Sequence, residues 1–189
     1  MKGRESGMPD EEMWTAFFDP AEIFHKLQLN SGTGDVVEFG CGYGTFTIPA
    51  AQKISGTIYA LDIEPGMVSA VQTQAGKTGL ANIRVILRDF IEEGTGLPCE
   101  SIDYSMLFNI LHVEAPIRLL RESMRILKPG GKVAIIHWNY DSTTPRGPAM
   151  DIRPRPEQCL AWAEQAGFHL KPPGIQNLPP YHYGMVLVK

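Results

Sequence analysis

A short apolar segment near the start of this chain runs directly into a glycine-rich turn. Val36–Phe39 is followed by Gly40-Cys41-Gly42-Tyr43-Gly44, and apolar residues then recur at the four-residue spacing of a helix. A strand that enters a helix through such a turn begins a strand–helix–strand unit, which joins parallel neighbours in a sheet. Because parallel sheets are covered by helices on both faces, this feature indicates an α/β architecture.

The alternation of strands and helices continues along the chain and predicts the fold class. Predicted strands cover residues 36–39, 57–61, 83–87, 102–108 and 132–138, with helices that begin after the turn, at Pro65 and at Pro116. Residues 157–166 predict a helix, 168–171 are a candidate sixth strand, and 183–188 predict a final antiparallel strand. The predicted fold is a Rossmann-like, doubly wound α/β sheet, mostly parallel, with helices on both faces.

Length and loop composition predict the domain organisation. A chain of 189 residues has the usual size of one domain, so residues 1–189 are predicted to form a single domain. Residues 1–12 are polar and are expected to be a flexible tail. Residues 13–29 are predicted to form an N-terminal cap segment, in which Asp19-Pro20 starts a helix. Residues 139–156 contain four prolines and predict an irregular loop.

Charge and cysteine content argue against several classes of protein. The chain carries 17 Lys and Arg against 21 Asp and Glu, a net charge of −4, whereas nucleic-acid binders usually show a basic excess. No stretch is long and apolar enough to span a bilayer, and the N-terminus lacks the apolar region of a secretory signal. Three cysteines are too few for a disulfide framework or a zinc site. We therefore expect a cytoplasmic protein with reduced thiols and no metal.

The spacing of glycines and acids distinguishes two kinds of cofactor. Dinucleotide enzymes hold a pyrophosphate with Gly-x-Gly-x-x-Gly, but here the third glycine, Gly44, comes one residue early. Glu38 lies beside the loop, where a carboxylate repels a pyrophosphate and tolerates a cationic ligand. Asp62 ends the second strand, 22 residues after Gly40, and an acid there accepts hydrogen bonds from ribose hydroxyls. The pattern favours S-adenosylmethionine, which has a cationic sulfonium, over a dinucleotide.

The same residues resemble those of a known family. Residues 36–51 and 60–68 are similar to the first two motifs of the class I S-adenosylmethionine-dependent methyltransferases. The later motifs correspond to Arg88-Asp89-Phe90, Phe108-Asn109-Ile110-Leu111-His112 and Leu127-Lys128-Pro129-Gly130-Gly131-Lys132, so the resemblance covers about residues 30–140. Within the superfamily the chain looks like the small-molecule branch related to the ubiquinone/menaquinone-biosynthesis methyltransferases.

The resemblance implies a cofactor site at the ends of the first four strands. Asp62 would hold the ribose hydroxyls, and Ile63 and Met67 would pack on the adenine. Asp89 would accept a hydrogen bond from the adenine amino group, and Asn109 would contact the methionine end through its backbone carbonyl. The residues implied for the cofactor are Glu38, Gly40, Cys41, Gly42, Asp62, Ile63, Met67, Asp89, Phe90 and Asn109.

One histidine is a candidate catalytic residue. His112 follows the fourth strand at the carboxyl edge of the sheet, where ligands bind in this architecture. A neutral imidazole there could take a proton from the acceptor during methyl transfer. The alternative is a structural histidine that bonds to a loop carbonyl.

Aromatic residues are candidates for the acceptor pocket. Trp14, Phe17 and Phe18 either form a lid over the cofactor or dock the first helix as core. His137 and Trp138 close the fifth strand at the same edge, and they either line the acceptor pocket or only pack.

The predicted function is methyl transfer from S-adenosylmethionine to a small-molecule acceptor, with S-adenosylhomocysteine as the product. The alternatives are a methyltransferase that acts on protein or RNA and a protein of the same fold that binds the cofactor without catalysis. A dinucleotide oxidoreductase is disfavoured by the glycine spacing. Arsenic methyltransferases use three thiolates, but Cys41, Cys99 and Cys159 are far apart in the sequence, so this specialisation is also disfavoured.

Overall fold

A computed structural model describes residues 9–189 of the chain. Its helices are α1 (Glu11–Thr15), α2 (Pro20–Lys26), α3 (Thr47–Lys53), α4 (Pro65–Thr78), α5 (Pro116–Ile126) and α6 (Pro156–Gln165). Its strands are β1 (Val36–Phe39), β2 (Ile58–Asp62), β3 (Ile83–Leu87), β4 (Ile102–Phe108), β5 (Leu127–Trp138), β6 (His169–Leu170), β7 (Gln176–Leu178) and β8 (His182–Val188).

The strands of this region form one sheet. Their order is β3-β2-β1-β4-β5-β8-β6, and β7 pairs with β8. Strands β1 to β5 pair with one another in parallel, whereas β8 runs antiparallel to β5, β6 and β7. The predicted fold class, a mostly parallel Rossmann-like sheet with an antiparallel last strand, is confirmed.

The chain reverses its direction across the sheet beside β1. Strands β2 and β3 lie on one side of β1, and β4 and β5 lie on the other. The connections that leave β1 and β4 therefore diverge and open a crevice at the carboxyl ends of these strands, which is where ligands bind in open α/β sheets.

Helices cover both faces of the sheet, because successive strand residues point to opposite sides. Within β1, Val36 belongs to one buried apolar cluster and Val37 to the other. The first cluster includes Phe24 of α2, Ala50 of α3 and Val71 of α4, and the second includes Leu120 of α5 and Ala163 of α6.

The N-terminal segment is held by a helix cap and by a hydrogen bond to the glycine-rich turn. The Asp10 side chain accepts from the Met13 N–H at 3.0 Å and caps α1. The Tyr43 hydroxyl donates to the Pro9 carbonyl at 3.0 Å. Helix α1 begins at Glu11, so residues 11 and 12 of the predicted flexible tail are helical, and its residues 1–8 lie outside the described part of the chain.

The predicted helix start at Asp19-Pro20 is present as helix α2. The Asp19 carboxylate accepts from the N–H groups of Ala21 and Glu22, both at 3.1 Å. Beyond the helix, the buried Tyr104 hydroxyl of β4 donates to the Leu27 carbonyl at 2.7 Å. This bond attaches the segment to the middle of the sheet.

The last third of the chain differs from the prediction in two places. Strand β5 begins at Leu127 rather than at residue 132, because Leu127 pairs with Ile102 before the register shifts. Strand β7 lies in a stretch predicted as loop, where it pairs with β8. Residues 139–155 contain no helix or strand. No helix within residues 9–189 has the length and apolar character needed to cross a membrane.

Candidate functional site

A cavity of about 500 Å³ opens at the carboxyl ends of the parallel strands. Its walls come from the N-terminal segment, from the connections after β1 to β5 and from residues 146–152. The predicted site residues that line it are Trp14, Glu38, Gly40, Cys41, Gly42, Asp62, Ile63, Asp89, Phe90, Asn109, His112 and Trp138. Four other predicted residues, Phe17, Phe18, Met67 and His137, are not part of this lining.

The glycine-rich turn takes a backbone shape that glycine allows. Gly40, Gly42 and Gly44 have φ values of +79°, +51° and +85°, a region that residues with a side chain rarely adopt. The N–H groups of Gly40 and Cys41 both donate to the Leu61 carbonyl at 2.9 Å. The turn is thereby fixed against the end of β2.

Asp62 orients the glycine-rich turn and remains able to accept further hydrogen bonds. One carboxylate oxygen accepts from the Gly42 N–H at 2.9 Å, and the other accepts from the Glu64 N–H at 3.0 Å. Burial raises the pKa of Asp62, and the two N–H donors oppose this effect. Because each carboxylate oxygen has a second lone pair, the group could also bind the hydroxyls of a ligand.

Glu38 is a second buried acid beside the turn. It is 2% exposed, and its carboxylate accepts from the Thr47 hydroxyl of α3 at 2.5 Å. Burial raises the pKa of Glu38 to about 8; the hydrogen bond from Thr47 opposes this rise, and the charge of Asp62 adds to it. A cationic ligand in the cavity would favour the ionised form of this carboxyl.

Two polar side chains in the cavity wall have unused hydrogen-bonding capacity. The amide nitrogen and oxygen of Asn109 and the hydroxyl of Thr45 are buried without a hydrogen-bond partner among residues 9–189. Asn109 also has a φ of +55°, and its N–H donates to the Ile136 carbonyl at 2.8 Å. Buried polar groups are usually hydrogen-bonded, so these atoms point to a ligand with polar groups.

Sequence reasoning missed Thr45 and Thr47. Thr45 directly follows Gly44, so its position after the turn was the available signal. Thr47 lies three residues after Gly44 and is the first residue of α3. Only the packing of this helix against the sheet brings its hydroxyl to Glu38.

His112 lines the cavity, and His137 lies next to it in the core. The Nδ1 atom of His112 is 3.3 Å from the Nε2 atom of His137. His137 is fully buried. Burial lowers the pKa of His137 well below 6.5, and His112, His182 and Arg153 lower it further.

The aromatic residues of the N-terminal segment divide between the cavity and the core. Trp14 lines the cavity, with its ring centroid 6.4 Å from that of Trp138. Phe17 packs on Trp138 at 5.3 Å between centroids, and Phe18 packs on Phe46 at 5.0 Å. Trp14 therefore belongs to the cavity lining, whereas Phe17 and Phe18 pack on neighbouring aromatic rings.

The fold separates the three cysteines. Cys41 and Cys159 are buried in the apolar clusters on opposite faces of the sheet, and Cys99 is exposed. Burial raises the pKa of the Cys41 thiol. The fold does not form the three-thiolate arsenic site considered from the sequence.

Arg153 is a structural element of the site that sequence reasoning missed. It is 7% exposed, and its guanidinium donates hydrogen bonds throughout the irregular segment that we call the 139–152 loop. The acceptors are the carbonyls of Asn139 (3.1 Å), Asp141 (2.9 Å), Arg146 (3.3 Å) and Pro148 (2.8 Å) and the hydroxyl of Thr144 (2.6 Å). Because residues 146–152 line the cavity, Arg153 shapes one of its walls.

Comparison with known proteins identifies relatives of this chain. Residues 36–131, about half of the chain, match the family model of a methyltransferase domain. Aklanonic acid methyltransferase DauC of Streptomyces sp. strain C5 is 33% identical over 106 residues, which cover 54% of this chain and 47% of that protein. The ubiquinone/menaquinone biosynthesis C-methyltransferase UbiE of Bartonella henselae is 34% identical over 137 residues, which cover 67% of this chain and 48% of that protein. The chain thus spans about half the length of these curated relatives.

A solved structure has a similar fold over nearly the whole chain. The crystal structure of a SAM dependent methyltransferase from Aquifex aeolicus has a TM-score of 0.82 at 24% identity, and the match covers 95% of this chain and 93% of that chain. At this identity the likeness concerns the fold alone.

Replacing Glu38 with glutamine is expected to change how stability depends on pH. The pKa of Glu38 is raised from 4.5 to about 8 in the folded protein, so the fold favours the protonated carboxyl. The carboxyl's contribution to stability is therefore lost as pH rises from about 4.5 to 8, by up to about 1.4 kcal/mol per pKa unit. Urea titrations measure the free energy of unfolding at each pH. The value for Glu38→Gln minus the value for wild type should rise as pH increases across this range and then level off.

Glu122 provides a control with a shift of the opposite sign. Burial alone would raise its pKa, but hydrogen bonds from Arg125 and Thr95 lower it to about 2. The Glu122→Gln variant should therefore lose stability relative to wild type as pH rises from about 2 to 4.5. A flat difference for Glu38→Gln would mean that Glu38 is ionised in the folded protein at ordinary pH.

Removing the Arg153 side chain is expected to loosen the 139–152 loop. Hydrogen bonds from a charged group contribute about 1.5–3 kcal/mol, so amide hydrogen exchange in Arg153→Ala should be roughly tenfold to a hundredfold faster in this loop. Mass spectrometry of peptides from residues 139–152 measures the rate. Arg118→Ala is the control, since the exposed Arg118 side chain pairs with Glu92 and not with the loop. Unchanged exchange in Arg153→Ala would show that other contacts order the loop.

Proposed function

This chain belongs to the methyltransferase-domain family, and from that premise we propose that it transfers a methyl group from S-adenosylmethionine to a small organic acceptor. The observation that carries the proposal is the cavity of about 500 Å³ at the carboxyl ends of the parallel strands. It brings together two buried acids, a glycine-rich turn and unpartnered polar side chains. This combination suits a ligand that carries a cation, a ribose and polar end groups.

The residues in the cavity fit S-adenosylmethionine better than a dinucleotide. An ionised Glu38 attracts a sulfonium or an ammonium group and repels a pyrophosphate. The unpartnered amide of Asn109 and hydroxyl of Thr45 would bond to polar atoms of the methionine portion. Such a ligand would satisfy buried groups that have no hydrogen-bond partner within the described part of the chain, residues 9–189.

The proposed assignment of the cofactor's other parts follows the order of the strands. Asp62 accepts from the ribose hydroxyls with the lone pairs that the Gly42 and Glu64 N–H groups leave unused. Ile63 and Phe90 flank the adenine, and Asp89 accepts from its amino group. Backbone groups of Gly40, Cys41 and Gly42 approach the cofactor closely. Met67 does not line the cavity and is left out of this assignment.

The protein's own part in the reaction is alignment and proton removal. Bound S-adenosylmethionine supplies a methyl group on a positively charged sulfur and is left as S-adenosylhomocysteine. The cavity walls hold the acceptor nucleophile in line and exclude water. For a hydroxyl or acidic C–H acceptor, the His112 imidazole takes the proton that the acceptor loses as its new bond to the methyl carbon forms. His112 is thus the proposed general base.

The proposed acceptor is a small molecule with an apolar, planar portion. Trp14, Phe46, Phe108 and Trp138 contribute aromatic surface to the cavity, and aromatic surface favours stacking with planar groups. The names of the two curated relatives refer to aklanonic acid and to ubiquinone/menaquinone biosynthesis, which also supports a small organic acceptor. A net charge of −4 makes a nucleic-acid acceptor less suitable.

The proposed location of the protein is the cytoplasm. Cys41, Cys99 and Cys159 are all free thiols, and free thiols persist in reducing compartments.

Binding measurements test the cofactor assignment. Calorimetric titration of the purified 189-residue chain should show saturable binding of S-adenosylmethionine and S-adenosylhomocysteine and none of NAD. Asp62→Ala should weaken both affinities at least tenfold, because charge-assisted hydrogen bonds of about 1.5–3 kcal/mol are lost. Asp103→Ala is the control, since Asp103 pairs with Lys128 outside the cavity. Binding of NAD instead would overturn the assignment.

Acceptor screening tests catalysis and the role of His112. The candidate acceptors are phenols, quinols and 1,3-dicarbonyl compounds, each offered together with S-adenosylmethionine that is labelled in the methyl group. At least one of them should become labelled. His112→Asn should lower the rate by about a hundredfold or more and leave cofactor affinity unchanged. His169→Asn, at an exposed position on β6, should retain full activity. Cofactor binding without transfer to any acceptor would favour a non-catalytic binding protein.

A further inference from the structure

Arg146 is the one lysine or arginine, among the residues that the structure describes, that lines the cavity. The lining otherwise carries carboxyl groups, which belong to Glu38, Asp62, Glu64, Asp89 and Asp151. Glu38, Asp62 and Asp89 are assigned to the cofactor. The guanidinium of Arg146 is left for the other ligand of the cavity, which is the methyl acceptor.

The Arg146 guanidinium has no partner within the chain that neutralises its charge. No ion pair, side-chain hydrogen bond or ring contact joins it to another residue within the range 9–189, whereas the guanidinium groups of Arg88 and Arg125 pair with glutamates. Asp151 belongs to the same wall of the cavity but does not pair with it. The exposed Arg146 side chain is therefore available to an anion.

Contacts of the neighbouring backbone hold Arg146 beside an aromatic ring. The carbonyls of Arg146 and Pro148 both accept from the Arg153 guanidinium, at 3.3 and 2.8 Å. Between them, Gly147 lies so close to Trp138 that a Cβ atom at this position would be 3.0 Å from Cγ of the ring. Arg146 therefore extends from a fixed stretch of backbone next to aromatic surface of the cavity.

The position of Arg146 in the fold separates it from the acid assigned to the ribose. Asp62 ends β2 and Trp138 ends β5, and strands β1 and β4 lie between these two. Because neighbouring strands are about 4.8 Å apart, the ends of β2 and β5 are separated by roughly 14 Å. Arg146 thus lies with Trp138 on the β5 side of the cavity, where the aromatic surface proposed for the acceptor is found.

We propose that Arg146 is a specificity-determining residue that binds a carboxylate group on a planar methyl acceptor. This inference rests on the proposed function, because it concerns the acceptor of that reaction. The planar guanidinium presents two parallel N–H donors to a carboxylate, and the neighbouring Trp138 ring stacks on the apolar portion of the same molecule. The acceptor class is thus a conjugated ring system that carries a carboxylate in addition to the group that is methylated.

The binding of matched planar probes to the 189-residue chain tests the proposal. Calorimetry measures the affinities of naphthalene-2-carboxylate and its neutral carboxamide, and of the corresponding anthraquinone pair, with and without saturating S-adenosylhomocysteine. Wild type should bind each carboxylate roughly tenfold to a hundredfold more tightly than its carboxamide, as expected for hydrogen bonds between charged groups. Arg146→Gln should bring this ratio of affinities close to one, and Arg146→Lys should retain part of it.

Two further variants control for charge. Arg121→Gln removes a positive charge from an exposed position on α5 that is not part of the cavity lining, and it should keep the wild-type ratio of affinities. Asp151→Asn removes a negative charge from the same wall as Arg146. It should therefore strengthen the binding of the carboxylates.

Three results would overturn the proposal. The first is a wild-type protein that binds the carboxylates no more tightly than the carboxamides, or not at all, and the second is an unchanged ratio in Arg146→Gln. The third is a loss of S-adenosylhomocysteine affinity in Arg146→Gln, which would assign the guanidinium to the cofactor's own carboxylate. If wild type does not bind S-adenosylhomocysteine, the proposed function fails, but the titrations without it still measure the preference for a carboxylate.

Discussion

The central position of β1 is the constraint on which the rest of the site depends. β1 lies between β2 and β4 and is parallel to both, so the chain must leave it on one side and return on the other. This reversal opens the crevice at the carboxyl ends of the strands. Glu38 lies on β1 itself, Asp62 ends β2 and Asn109 follows β4. The sheet therefore brings residues that are distant in the sequence together in one cavity.

Burial shifts the pKa values of the acids and of the histidines around the cavity in opposite directions. On the side of the glycine-rich turn, two acids lie close together, and the fold favours a protonated Glu38 until a cation arrives. On the side of β5, burial lowers the pKa of His137 and of His182, and the charge of the Arg153 guanidinium lowers both further. The surroundings of the cavity thus combine two buried acids with two buried histidines whose pKa values are lowered. Shifted pKa values of this kind cluster at functional sites.

The 139–152 loop shows how an irregular segment acquires a defined shape. The loop contains no helix or strand whose hydrogen bonds could engage its backbone carbonyls. The Arg153 guanidinium donates hydrogen bonds to several of these carbonyls at once. A planar group with five N–H donors can serve this purpose, whereas an ammonium group cannot span the same set of carbonyls. One buried side chain therefore helps to hold a wall of the cavity.

Much of the fold was predictable because its signals are local. The alternation of apolar runs with helical spacing predicted the parallel sheet, and the glycine-rich turn, Glu38 and Asp62, which were singled out by their spacing, line one cavity. The early start of β5 and the short strand β7 escaped prediction, because both depend on pairing with distant strands. Met67 was expected in the site from its position in a motif, but the cavity is not lined by it.

The sequence by itself determined the fold class, the glycine-rich turn and the acids at the strand ends, since these depend on periodicity and on spacing within one strand–helix unit. Only the tertiary structure decided which aromatic residues reach the cavity, that Thr47 bonds to Glu38, that Arg153 holds the loop and that His137 meets His112. Those outcomes depend on side chains brought together from separate elements. Their contacts are set by the packing of helices and loops against the sheet, which no local pattern encodes.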